Sequence, residues 1–283
     1  MAERQRKLVA ALWMVGTLLS LSVMAVSGRE LSVEMGTFQI LFYRGLVSLA
    51  VISILLTRYG WGQIKTQRMG LQAIRHLTHF AGQFAWFFAI ALIPLADVFA
   101  IEFTMPLWAA LLAPIFLKER LTRERLMAVL MGFIGMVIIL RPGAEVIHPG
   151  ALVMTVGAFF FALAGIATKE LTKTETPLCI LFYMVVMQLP LSFVPTLFNW
   201  QVPSQAALPW LLLVGTAALA AHFCFAKALQ NADALVVVPM DFLRLPLIAV
   251  VGFLLYNEAL DLYVLTGALV MCMGNLISLR SHR

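Results

Sequence analysis

Long apolar runs alternate with short polar links along the whole chain. Ten runs can be marked, at 8–26, 38–57, 73–92, 96–117, 126–140, 151–167, 178–198, 210–229, 234–256 and 260–279. Each is close to the length of about 20 residues that an α-helix needs to cross a hydrocarbon layer of about 30 Å. The runs are continuous, without the apolar/polar alternation of strands. A helix also satisfies every backbone polar group within its own span, so the pattern predicts ten transmembrane helices. The links are short, and none has the length of a soluble domain.

Two runs are interrupted in the same way. The fourth carries Glu102, then Pro106 and Pro114; the ninth carries Asp241 and then Pro246. Sliding the chain along itself by 140 positions brings Pro106 onto Pro246 and the tetrapeptide Ile40-Leu41-Phe42-Tyr43 onto Ile180-Leu181-Phe182-Tyr183. At the same offset Ala11, Leu12 and Met14 meet Ala151, Leu152 and Met154, while Glu30 and Leu31 meet Glu170 and Leu171. After a one-residue gap Glu119 meets Glu258 and Arg141 meets Arg280. The chain therefore divides into two five-span halves, 1–141 and 142–283. Because five is odd, the second half enters the membrane upside down relative to the first. Inverted repeats of this kind belong to secondary transporters, with the substrate site near the midplane between the halves.

Composition supports the membrane assignment. The 283 residues are 62% hydrophobic and 12% charged, against about 25% charged in an ordinary soluble domain. The mean hydropathy is +0.94. The first apolar run is one of many, which makes it a span and not a cleaved leader. The net charge of +6 lies between the runs and not on one surface, so it reads as topology and not as a nucleic-acid site. With the N-terminus in the cytoplasm, Arg4, Arg6, Lys7, Arg58, Lys65, Arg68, Lys118, Arg120, Arg123, Arg125, Lys169, Lys173, Arg280 and Arg283 fall inside. Only Arg29 and Arg141 fall outside. By the positive-inside rule both termini are then cytoplasmic. Arg75 and Lys227 sit at helix ends on the same side. Cys179, Cys224 and Cys272 show no CxxC spacing, and neither a disulfide framework nor a metal site is expected.

The fourth run leads into FLKERLT, and the fifth carries glycines and closes on IILRPG. With the two five-span halves, these features resemble the EamA-type branch of the drug/metabolite transporter superfamily over essentially the whole chain. The second half departs from that pattern, with LYNEALD where typical members have a Gly-Glu pair. The resemblance implies a ten-helix carrier of the bacterial inner membrane. Helices one to four and six to nine would surround a central cavity, with helices five and ten peripheral. It implies no cofactor and leaves the cargo open among amino acids, vitamins such as riboflavin, S-adenosylmethionine, nucleosides and drugs. The expected partners are a small-molecule substrate, protons and membrane lipid, with the chain a monomer or homodimer.

Candidate site residues are polar groups that a bilayer disfavours. Arg44, Glu102, Asp241 and Arg244 fall within spans, and each charge at the centre of a lone helix costs about 2.5 to 3.5 kcal/mol. They must face a bundle interior or cavity. Glu102 and Asp241 stand four and five residues before the matched prolines, which interrupt the helix ladder. Two readings fit them: proton coupling or recognition of a substrate amine on one side, structural ion pairing to an arginine on the other. Asp241 and Arg244 are spaced i, i+3 and can pair on one helix face. Arg244 otherwise offers a fork for a carboxylate or phosphate. Arg44 has Met184 as its repeat counterpart, so it is either a one-sided substrate contact or the counterion of Glu102. On the third run His76, His79 and Gln83 form a polar stripe continued by Trp86 and Phe87, with His79 and Gln83 deeper. The stripe either lines a cavity or supplies interhelical hydrogen bonds. His222 and Lys227 align with Ala85 and Ile90; they complete the candidates, although Lys227 is placed to snorkel. Gln188 and Asn275 read as packing contacts.

Other classes lack their residues. No GxxxxGK[ST] phosphate loop, GxSxG elbow or HExxH helix occurs, which argues against an ATP-driven pump, a serine hydrolase and a zinc hydrolase. A channel or a lipid scramblase is the alternative to a carrier. The expectation is a non-enzymatic secondary carrier for a small polar organic metabolite, working by alternating access, proton-linked or facilitative.

Overall fold

The computed structural model describes residues 3–116, 123–141, 147–232 and 234–280. The KERLT motif at 118–122, the Pro142-Gly143 of RPG, and Arg283 lie outside the described residues. Among these residues all regular structure is helical: α1 (Glu3–Ser32), α2 (Thr37–Tyr59), α3 (Met69–Ile90), α4 (Leu95–Glu102), α5 (Met105–Phe116), α6 (Arg123–Leu140), α7 (Pro149–Leu171), α8 (Pro177–Thr196), α9 (Leu208–Asn231), α10 (Ala234–Asp241), α11 (Arg244–Tyr256) and α12 (Leu262–Arg280). Six stretches are long and apolar enough to cross a membrane: Gln5–Ser32, Thr37–Tyr59, Leu95–Phe116, Pro149–Leu171, Pro177–Thr196 and Gln205–Asn231. Shorter apolar helices are Leu126–Leu140, Arg244–Tyr256 and Leu262–Ile277. The α3 helix is not in either group; it carries Gln72, Arg75, His76, His79 and Gln83, all buried.

Helix starts follow local chemistry. Pro177 opens α8, where its missing N–H is no loss, and the Thr176 hydroxyl accepts from the Cys179 N–H at 3.1 Å. His148 caps α7 in the same manner by accepting from Gly150 N–H, ahead of Pro149. Within α1 the hydroxyls of Thr17, Ser22 and Ser27 donate to carbonyls four residues back, so none enters the apolar interior unsatisfied.

The main packings each join the two halves of the chain: α1 with α9, α3 with α7, α2 with α8, α6 with α12, and α4 with α11. Exchanging each helix for its counterpart in the other half carries the first four pairs onto one another: α1/α9 becomes α7/α3, and α2/α8 and α6/α12 map to themselves. That is the packing expected of a two-repeat architecture. Close approaches use glycine, as they do in membrane bundles where small residues let backbones meet. A Cβ on Gly267 of α12 would stand 2.6 Å from the Gly135 carbonyl oxygen of α6, and one on Gly157 of α7 would stand 2.6 Å from the Ala85 Cβ of α3.

The fourth and ninth runs, expected as single spans, are each broken in two. The breaks fall at Phe103-Thr104, between α4 and α5, and at Phe242-Leu243, between α10 and α11. Pro106 and Pro246 lie in the first turns of α5 and α11, where proline is tolerated, but they cannot donate back across the break. The ladder tightens instead: Thr104 N–H donates to the Ile101 carbonyl at 2.9 Å and Leu243 N–H to the Met240 carbonyl at 3.1 Å, both three residues back. The departure at LYNEALD also finds its reason. Asn257 caps α11 at φ 52, the left-handed conformation usually given to glycine and tolerated by asparagine.

Candidate functional site

The two breaks meet. Glu102 is the last residue of α4, Asp241 the last of α10 and Arg244 the first of α11. Arg244 Nη1 donates to Glu102 Oε1 at 3.2 Å, and Trp86 Nε1 of α3 donates to Glu102 Oε2 at 2.9 Å, so both carboxylate oxygens are held. Arg244 Nη2 lies 3.7 Å from Asp241 Oδ2. The Arg244 guanidinium lies 5.0 Å from the ring centroids of both Phe99 and Phe103. Phe103 in turn packs edge-on against Phe242 of the other break, with centroids 4.9 Å apart.

This arrangement works against the helix dipoles. An acid at a helix C-terminus and a cation at an N-terminus are each unfavourable by about 0.3 to 1 kcal/mol. The Glu102–Arg244 pair offsets both, since each charge lies against the other. With side chains only 17% and 8% exposed, neither has bulk water as an alternative partner. Removing one member of such a buried pair typically costs about 3 to 5 kcal/mol, because the other charge is left alone.

Next to the pair lies a cavity of about 400 Å³. Glu102, Arg244, Arg44, Gln83, His79, His222 and Arg75 contribute polar wall, and Trp86, Phe87, Phe161 and Phe225 contribute aromatic wall. The cavity runs from the helix breaks to Arg75, in the second turn of α3, and Thr168, in the last turn of α7. Arg44 Nη2 donates to Gln83 Oε1 at 2.8 Å, while its Nε is buried without a partner. Gln188 Nε2 donates to the His76 carbonyl at 3.0 Å and stands 3.3 Å from His79 Nδ1. Arg75 Nε donates to Thr168 Oγ1 at 3.0 Å. Its Nη1 stands 2.9 Å from His76 Nδ1.

Several sequence expectations change here. Arg44 is not the counterion of Glu102: that place is taken by Arg244 from the opposite half, and Arg44 is held by Gln83. Asp241 and Arg244 do pair, but across a break and not along one helix face. Asp241 is not part of the cavity wall. Gln188, read as a packing contact, bridges α8 to α3. Lys227 stays away from the cavity, with its ammonium 3.2 Å from Gln230 Oε1 and over the Phe223 ring. Arg75, read as a helix-end charge, is 6% exposed and lines the cavity. A signal for it was available: Arg75, His79, Gln83 and Trp86 recur at i, i+4, i+8 and i+11, one continuous helix face.

A second polar cluster joins the halves at the end where α1 stops and α12 starts. Arg29 Nη2 meets Glu258 Oε1 at 3.1 Å, Glu258 Oε2 accepts from the Leu95 N–H at 2.9 Å, and the Tyr256 hydroxyl donates to Glu30 at 2.8 Å. Arg141 pairs with Asp261 at the same end. Among the described residues no group of three or more His, Cys, Asp or Glu is placed to hold a metal ion.

Comparison with known proteins agrees with this architecture. The chain is 28% identical over 271 residues to an S-adenosylmethionine uptake transporter of Rickettsia bellii, covering 96% of this chain and 93% of the relative. It is 29% identical over 263 residues to a riboflavin transporter of Vibrio cholerae, covering 91% and 88%. A solved crystal structure shares the fold with a TM-score of 0.66 at 16% identity, over 95% of this chain and 96% of that one. The model of the EamA-like transporter family matches twice, over residues 8–141 and 148–280, and the chain belongs to that family, a multi-pass bacterial membrane transporter.

Proposed function

We propose that the chain is a ten-helix secondary carrier for a small metabolite with a flat ring, built from two inverted five-helix halves at 1–141 and 142–283. In this reading α4–α5 and α10–α11 each count as one broken crossing, and α3, α6 and α12 complete the ten. The carrier lies in the inner membrane with both termini in the cytoplasm and works as a monomer or homodimer within lipid. One observation carries it: the two helix breaks, matched between halves, are joined by the Glu102–Arg244 pair beside a cavity at the interface of the halves. Discontinuous helices meeting at such an interface are how carriers place a substrate site. Aromatic side chains in the wall suit the ring that the cargoes named for the Rickettsia and Vibrio proteins both possess. The Arg29–Glu258 cluster seals one end, while the cavity extends toward the other. Alternation then consists of opening that seal as the Arg75 end closes. Protonation of Glu102 would release Arg244 and loosen the contact between halves, a route for proton coupling.

Uptake of labelled riboflavin, S-adenosylmethionine, amino acids and nucleosides into proteoliposomes tests the proposal. Saturable uptake of one of these is expected, with a pH dependence that Glu102→Gln removes. Flux rising linearly with concentration, as through a channel or scramblase, contradicts it.

A further inference from the structure

The cavity has an imbalance of charge that the carrier reading does not use. Its wall contains three guanidiniums, Arg44, Arg75 and Arg244, against one carboxylate, Glu102. Glu102 is already engaged by Arg244. Arg44 and Arg75 are each 6% exposed. No carboxylate among the described residues lies within ion-pair distance of either. Their hydrogen-bond partners are neutral: Gln83 for Arg44, Thr168 and His76 for Arg75. Arg44 Nε has no partner at all. Arginine does not lose its proton in proteins, so neither side chain can escape by becoming neutral. Both line the same cavity as His79 and His222. Two half-helices also begin at this wall, α5 at Met105 and α11 at Arg244, with the positive ends of their dipoles at the cavity.

We infer that the cavity selects an organic anion, a ring-bearing molecule whose carboxylate or phosphate lies between Arg44 and Arg75 while the ring rests against Trp86, Phe87 and Phe161. The inference rests on the carrier reading for what the site does with its ligand. What the site binds is a separate matter. A bidentate oxyanion satisfies the unused donors of a guanidinium fork, and it supplies the charge that this wall lacks. A cationic or neutral ring of the same size supplies neither.

Binding to the full chain in lipid nanodiscs, followed by thermal stabilisation, tests this with two matched pairs. Nicotinate against nicotinamide changes only a carboxylate, and adenosine 5′-monophosphate against adenosine adds only a phosphate. At least one acid is expected to bind at least about tenfold more tightly than its neutral partner, the responding pair showing which oxyanion fits. Arg44→Gln and Arg75→Gln should each remove that preference. Arg44→Gln should leave the ligand-free protein as stable as before or more so, because a buried charge without a counterion is gone. Equal binding of acid and neutral partner, no binding of either acid, or a preference that survives either substitution overturns the inference. Saturable uptake without an anion preference defeats this inference alone; an anion preference in binding without saturable uptake of any compound defeats the carrier reading alone.

Discussion

The two helix breaks share a backbone plan and differ in chemistry. Each ends a short helix on an acid, tightens to a three-residue step, and restarts with a proline in the first turn. At the first break the acid is fully engaged: Glu102 takes Arg244 on one oxygen and the Trp86 indole on the other. At the second break Asp241 has one longer contact, 3.7 Å to the same arginine, with 27% of its side chain exposed. The repeat thus conveys the geometry of a break to both halves, but the arginine stands in the second half only and reaches across to the first. A single cation shared unequally by two acids makes the contact between halves directional, and the halves are chemically distinct despite their common fold.

The largest effect is expected from Arg244→Gln, which removes the shared cation and leaves Glu102 buried without a counterion. Stability should fall by about 5 kcal/mol, the upper end of the cost for breaking a buried pair. Unfolding in detergent followed by tryptophan fluorescence or calorimetry reads this. Glu102→Gln should cost less, about 3 kcal/mol, because Arg244 keeps Asp241 and Trp86 keeps an acceptor. Trp86→Phe deletes one hydrogen bond to a charged acceptor and should cost about 1.5 kcal/mol. Asp241→Asn should cost less than about 1 kcal/mol, as for a partly exposed ion pair. An Asp241→Asn loss equal to that of Glu102→Gln would mean that the breaks are equivalent after all. A double-mutant cycle over Glu102 and Arg244 sharpens the contrast, with a coupling energy well above that of the Asp241 and Arg244 cycle.

The plan of the two breaks could be read directly from the chain, and the difference between them could not. Acids and prolines that recur at a fixed offset mark interruptions in any helix, since proline acts through the local ladder. Which arginine meets Glu102 depends on how α11 packs against α4, a tertiary fact that leaves no trace in spacing. Local spacing gave half of the arginine's contacts: the i, i+3 relation marks the longer one to Asp241, and the shorter one to Glu102 has no counterpart in spacing. Arg75 was hidden by its position near the start of a run, where a membrane helix is expected to place basic residues. His79 and Gln83 stood out as a polar stripe on a membrane helix, and both readings of it hold: they line the cavity and they make interhelical hydrogen bonds. Asn257 shows the converse case, a departure from the resembled pattern at a position that holds a left-handed turn.

The central claim is that these halves alternate around the cavity to carry a substrate, and counterflow tests it most directly. Proteoliposomes containing the purified chain are loaded with unlabelled riboflavin, S-adenosylmethionine or the best ligand of the binding panel, then diluted into a trace of the same compound labelled. The account predicts a transient accumulation of label above the equilibrium level that empty-loaded vesicles do not show, and its loss in Arg244→Gln. Label that enters at the same rate whether or not the vesicles are loaded would contradict it.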